Sequence, residues 1–293
     1  MKDFIKKNIR YFWVGGVMGV ANIIPGVSGG TIAVVFGIYE KLMEALGNFM
    51  TDKEKRWHYI RFLVILFSGA LLTILSLSPI LHWAFQNHPL PTVYFFIGLI
   101  IGSIPVVVKS HEDMKFNLKR AISFFLGFIV VIILTLMQND GSGQGKVFDA
   151  SQYGLTEYIY YIFCGSISAS AMIIPGVSGS FILILLGIYW DVLGSLSGLT
   201  TILFKDGLSP EMVVRISLLG SLGIGIIIGI LLISKVMSWA LKKFPAMTMY
   251  AILGLIIGSL FQIFPGFEFD INGLFAVITL IIGTIISLKF GEE

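Results

Sequence analysis

Long apolar runs separated by short polar stretches dominate this chain. Six runs are almost unbroken: Phe62 to Leu81, Val93 to Val108, Ala121 to Met137, Ile216 to Ser234, Ala246 to Phe264 and Ile271 to Leu288. Each reaches or approaches the roughly 17 to 25 residues of a membrane-crossing helix. None alternates apolar and polar positions as a barrel strand does. Two further runs are interrupted by proline, glycine and serine: ANIIPGVSGGTIAVVFGIY at Ala21 to Tyr39 and AMIIPGVSGSFILILLGIY at Ala171 to Tyr189. The pattern predicts an all-α polytopic membrane protein with two broken helical segments.

Composition agrees. Hydrophobic residues make up 56% of the 293 residues and charged ones 13%, against about 25% charged in a soluble domain. The net charge of +3 arises from basic residues that flank the apolar runs rather than forming a patch, so no nucleic-acid partner is expected. The one cysteine, Cys164, excludes an internal disulfide. There is no CxxC, HExxH or complete P-loop, and the four histidines are scattered. Neither metal nor cofactor is therefore expected. Lys2, Lys6, Lys7 and Arg10 ahead of an apolar stretch imitate a signal peptide. Because that stretch recurs in the middle of the chain, it is read as mature protein.

The recurrence extends well beyond the interrupted segments. A shift of 150 positions makes twelve of the nineteen residues in those segments identical. A shift of 156 lays GLIIGS at Gly98 to Ser103 over GLIIGS at Gly254 to Ser259, Trp83 over Trp239, Pro89 over Pro245 and Gly127 over Gly283. Arg61 corresponds to Arg215. The chain reads as one membrane domain over residues 1–293, with repeat 1 at 12–140, a connecting loop at 141–154 and repeat 2 at 155–289.

Charge distribution orients the repeats. Lysines and arginines concentrate at the N-terminus, at Lys53 to Arg61, at Lys109 to Arg120, at Lys235 to Lys243 and at Lys289, while the intervening loops are poor in both. The positive-inside rule then puts both termini in the cytoplasm. Every loop fits if each interrupted segment enters and leaves by one face. Each half is then a re-entrant hairpin plus about three crossings, an odd number that turns the second half upside down. Such inverted-topology repeats are a transporter architecture.

Pro25 lacks an amide hydrogen, and Gly26, Gly29 and Gly30 accept unusual dihedrals, so PGVSGG predicts a non-helical tip. Exposed backbone in a membrane is tolerated only within protein or beside a polar cavity. Amides at the following helix start, with the Ser28 and Thr31 hydroxyls, would favour an anion. Pro175, Gly176, Ser178, Gly179 and Ser180 form the second half-site, where Phe181 replaces the threonine. Tight hairpin packing by small residues stands as the other reading. For the GLIIGS glycines packing is the better one. Arg61 and Arg215 are candidates for bidentate phosphate capture. Glu40, Glu44 and Asp191, which follow the GIY ends of the hairpins, are candidates for coupling by titration. No catalytic constellation accompanies the serines, so a transporter rather than an enzyme is expected.

The paired NIIPGVSGGT and MIIPGVSGS segments, each extended by GIY, resemble a bacterial membrane-protein family formerly labelled a domain of unknown function and associated with polyprenyl-phosphate transport, PopT-like. The resemblance covers nearly the whole chain. It implies translocation of undecaprenyl phosphate from the outer to the inner leaflet of the cytoplasmic membrane, for reuse in cell-wall synthesis. The partners implied are that lipid and membrane phospholipids. Carried over by motif, the lipid-phosphate residues are Pro25, Gly26, Ser28, Gly29, Gly30 and Thr31, then Pro175, Gly176, Ser178, Gly179 and Ser180. The departures at Ser180 and Phe181 imply a less polar second site. A carrier of a small soluble anion and a membrane-embedded lipid phosphatase are the rival expectations.

Overall fold

The structure, a computed structural model, describes residues 2–23, 28–109, 114–137, 153–195 and 210–291. Pro25, Gly26 and most of the 141–154 loop lie outside these residues. The elements are α1 (Lys2–Ile23), α2 (Gly29–Val35), α3 (Tyr39–Asn48), α4 (Arg56–Asn87), α5 (Pro89–Lys109), α6 (Leu118–Leu136), α7 (Leu155–Ile173), α8 (Gly179–Leu185), α9 (residues 189–195), α10 (Pro210–Lys243), α11 (Pro245–Ile263) and α12 (Ile271–Gly291). No strand occurs among the described residues. Among the described residues, six helices are long and apolar enough to cross a membrane, and each overlaps one of the six apolar runs. This is a polytopic helical membrane protein.

Several helices outgrow the runs that announced them. Ile216 to Ser234 becomes a 34-residue helix because its charged flanks stay helical: Glu211 lies in the first turn, and Lys242 and Lys243 in the last. Proline begins α5, α10 and α11, where its missing N–H has no intrahelical partner to lose. Asn117 caps α6 by accepting from the Lys119 amide at 3.2 Å. The GIY shared by the interrupted segments is a helix stop. Gly37 adopts φ +64° and Gly187 φ +76°. The amides of Gly37 and Ile38 donate to the carbonyls of Val34 and Ala33, and those of Gly187 and Ile188 to Ile184 and Leu183. Both turns are Schellman motifs. A cation or a hydroxyl completes each: Arg10 donates to the Phe36 carbonyl, and Tyr160, at the matching position, to that of Leu186.

The helices pack in four principal pairs: α1 with α4, α7 with α10, α5 with α12, and α6 with α11. These are two pairs, each occurring twice. A Cβ on Gly98 would stand 2.1 Å from the Leu280 carbonyl oxygen, and one on Gly254 would stand 2.0 Å from that of Phe124. Phe124 and Leu280 are themselves related by the shift of 156. Gly127 against Ala251 and Gly283 against Phe95 repeat the exchange. The GLIIGS glycines thus allow backbone-to-backbone crossings, as small residues do between membrane helices. Between α1 and α4, Gly16 faces the Thr73 side chain. At the matching α7–α10 crossing, the Ser166 carbonyl faces Gly229.

The core gathers around α2, all seven residues of which are buried. In α8 only Gly179, Phe181 and Ile182 are buried. The outer faces of the spans carry exposed apolar side chains, among them Phe67 and Leu71 on α4, Phe125 and Ile129 on α6, and Ile278 and Ile282 on α12. Hydrocarbon is the solvent such a surface matches. Gly98→Val should cost about 1–3 kcal/mol through overpacking and lower the apparent melting temperature in detergent. Gly223→Ala, where an added Cβ meets nothing within 4 Å, should leave it unchanged.

Candidate functional site

The two interrupted segments meet tip to tip. Ser28, extended at φ −103° and ψ 137°, caps α2 by accepting from the Gly30 amide at 3.1 Å. The Asn22 side chain accepts from the Gly29 amide at 3.0 Å. The Ser28 hydroxyl donates across to the Met172 carbonyl at 3.0 Å. Thr31 Oγ1 accepts from the Gly176 amide at 2.9 Å. Gly176 sits at φ +83°, with the Leu255 carbonyl 2.4 Å from where a Cβ would be, so only glycine fits. Gly30 is pressed equally close to the Ile173 carbonyl, 2.3 Å from its would-be Cβ. Ser28 and Thr31 are 2% and 1% exposed, which puts these bonds in the dry interior.

The second segment is arranged differently. Met172 stands where the first has Asn22, and α8 has no side-chain cap. The hydroxyls of Ser178 and Ser180 bond each other at 2.9 Å. Ser180 is exposed. Ser168 donates to the Gly179 carbonyl at 2.7 Å, and Phe181 is buried in an apolar cluster with Val131, Ala171, Val177 and Ile182. At the start of α2 the first two amides therefore have acceptors within their own segment. The start of α8 has no such side-chain acceptor.

The two arginines lie apart from the tips, each at the sixth position of its helix. Arg61 is exposed. Arg215 is 8% exposed and is held by Glu211, whose Oε1 accepts from Nε at 3.1 Å and Nη2 at 2.6 Å, while Nη1 donates to the Gly194 carbonyl at 2.7 Å. Its guanidinium fastens α10 to the end of α9. Of the candidate coupling acids, Asp191 accepts from the Tyr161 hydroxyl at 3.1 Å, and Glu44 pairs with Lys242 at 3.2 Å. Burial works to raise the Glu44 carboxyl. The hydrogen bond and charge of Lys242, helped by Tyr59 and Lys55, hold it below its ordinary value.

Glu40 and Glu44 belong to a feature that sequence reasoning missed, a cavity of about 1090 Å³. Lys7, Lys41, Lys55, Lys109, Lys242 and His58 line it together with those two acids. The start of α4 and the end of its counterpart α10 contribute to one wall. The end of α5 and the start of its counterpart α11 contribute to another. Four of the lysines had been read only as flanking charge. The signal lay in the repeat itself: a shift of 150 pairs Lys41 with Asp191 and Tyr11 with Tyr161.

Comparison with known proteins matches residues 18–287 to the VCA0040-like family, described as undecaprenyl phosphate translocase-like. The chain belongs to this family. It is 33% identical over 267 residues to a polyprenyl-phosphate transporter of Staphylococcus aureus (strain NCTC 8325 / PS 47), covering 89% of either chain. It is 31% identical over 262 residues to a polyprenyl-phosphate transporter of Vibrio cholerae serotype O1 (strain ATCC 39315 / El Tor Inaba N16961), covering 86% of this chain and 76% of that one. No solved structure matches significantly.

Within the family member described here, the tip contact makes a direct prediction. Thr31→Val keeps the shape but strands the buried Gly176 amide, at a cost of about 1–3 kcal/mol. A lower melting midpoint and faster hydrogen exchange at Gly176 are expected, with Thr31→Ser close to wild type.

Proposed function

We propose that this protein carries undecaprenyl phosphate, or a close polyprenyl relative, from the outer to the inner leaflet of the cytoplasmic membrane. Family membership over nearly the whole chain, with two polyprenyl-phosphate transporters among its relatives, carries this reading. The architecture fits the task. A lipid phosphate needs polar contacts for its head within the apolar bundle, while its tail stays in hydrocarbon. The paired segments bring hydroxyls and backbone amides together in the buried interior.

In this reading the halves are inverted repeats with re-entrant hairpins, and both termini are cytoplasmic. Support comes from the cavity walls, where equivalent helices run in opposite senses. The headgroup engages the tips, chiefly through Ser178, Ser180 and the α8 start, where no side chain of the protein competes as a cap. Ser28 and Thr31 hold the closed contact. Parting the tips breaks the Ser28–Met172 and Thr31–Gly176 bonds, and rocking of the repeats alternates access. Hydroxyls engaged with carbonyls and with one another, as Ser28 and Ser178 are, suit this better than nucleophilic attack.

The test is reconstitution with labelled polyprenyl phosphate and a leaflet-accessibility assay. The wild-type chain should move the lipid. Ser28→Ala with Ser178→Ala should slow movement about tenfold, the effect of losing one charge-assisted hydrogen bond. Unchanged movement at normal protein levels would remove the tips from the headgroup's path.

A further inference from the structure

The lysine-lined cavity and the tips lie at opposite ends of α2. Ser28 and Thr31 are at its start, Val34 and Gly37 at its finish. Seven residues at 1.5 Å each separate the two regions by about 10 Å. Five lysines and His58 line the cavity with two glutamates, and Glu44 pairs with Lys242. The lysines come from the start of α1, from α3, from the residue preceding α4, and from the ends of α5 and α10. Such convergence brings like charges together at a cost, and a shared anion offsets it.

Two details show a place for that anion. The Lys41 ammonium is held without a carboxylate: it donates to the Tyr11 hydroxyl and lies 4.1 Å and 4.5 Å from the ring centroids of Tyr11 and Phe62. Burial and the neighbouring Lys7 push Lys41 down to about 8, against the pull of Glu44. Tyr39, a lining residue only 2% exposed, has a hydroxyl with no hydrogen-bond partner among the described residues. Val34, Val107, Leu241 and Met249 add apolar lining.

We propose that this cavity is a binding site for a phosphomonoester dianion, separate from the hairpin tips and confined to the end of the molecule where α1 begins. The choice of phosphate rests on the lipid-phosphate reading above. A dianion with three acceptor oxygens takes several ammonium groups at once, and the apolar lining accepts the first carbons of a prenyl chain. Among the described residues the matching position at the opposite end differs: Asp191 replaces Lys41 there, and Tyr161 donates to it. Glu211 likewise occupies Arg215. The site is thus one-sided in a molecule built from a repeat. It receives a headgroup that has passed the tips and holds it for release. The same chemistry admits inorganic phosphate.

The experiment places the full chain in phosphatidylcholine nanodiscs and maps lysine acylation by mass spectrometry, with prenyl monophosphate, inorganic phosphate or prenyl alcohol added. Prenyl monophosphate is expected to protect Lys41 and Lys109, and the alcohol is not. Equal protection by inorganic phosphate assigns free phosphate as the ligand, and its failure beside protection by the prenyl ester assigns the lipid head. Lys41→Gln should weaken prenyl-phosphate binding about tenfold, the loss of one charge-assisted hydrogen bond. Lys41→Arg should retain binding, and Asp191→Asn should leave it unchanged. Protection by neither phosphate, or unaltered affinity in Lys41→Gln, overturns the site. Lipid movement with unprotected lysines sinks the cavity alone. Protected lysines without lipid movement sink the transport reading and leave the cavity standing.

Discussion

A helix that breaks inside an apolar bundle leaves peptide groups that water cannot reach, and each orphan costs several kcal/mol in hydrocarbon. Much of this structure follows from that constraint. Two broken segments are brought face to face, and one completes the other: Ser28 gives its proton to Met172, and Thr31 receives that of Gly176. Their approach is possible because Gly30 and Gly176 carry no side chain into the seam. Close crossings of α5 with α12 and of α6 with α11 flank this seam, again over glycine. The tips therefore act as a fastener between the two segments. Any carrier role requires bonds that are strong when made and replaceable by a headgroup when parted.

Much of this is legible in the sequence. Hydropathy located the six spans, because lipid demands an unbroken apolar stretch. It misplaced the helix ends because charged turns such as Glu211 to Arg215 remain helical after hydropathy falls. The glycines of GLIIGS were readable as packing residues from spacing alone. Repeat alignment also found the tips, but it hid how they meet. Self-comparison superposes Thr31 on Phe181 and Ser28 on Ser178, whereas the actual contacts run from Thr31 to Gly176 and from Ser28 to Met172. The paired motifs predict free amides after both Ser28 and Ser178. Asn22 and Ser28 occupy the first set, and no side chain caps α8. The basic cavity escaped notice because its lysines are scattered from position 7 to position 242 and are brought together only by the fold.

Duplication supplies a scaffold, and a few substitutions then differentiate its ends. Tyr11 and Tyr161 occupy matching places, yet one accepts from a lysine and the other donates to an aspartate. Arg10 and Tyr160 stop matching helices by the same contact with different chemistry. Shape is conserved where backbones touch, and charge diverges where the two faces differ. In the transport proposed above, one-sidedness of this kind would change how long a headgroup stays at each face. It would leave the overall equilibrium between leaflets to the concentrations on either side.

The crossing of α1 with α4 holds a further lesson. Gly16 lies against Thr73 in one half, and the Ser166 carbonyl lies against Gly229 in the other. In the first half an added side chain would meet the end of another side chain, 2.7 Å away. In the second it would meet main chain at 2.1 Å, which has far less freedom to give way. Position 229 should therefore tolerate a side chain less than position 16 does.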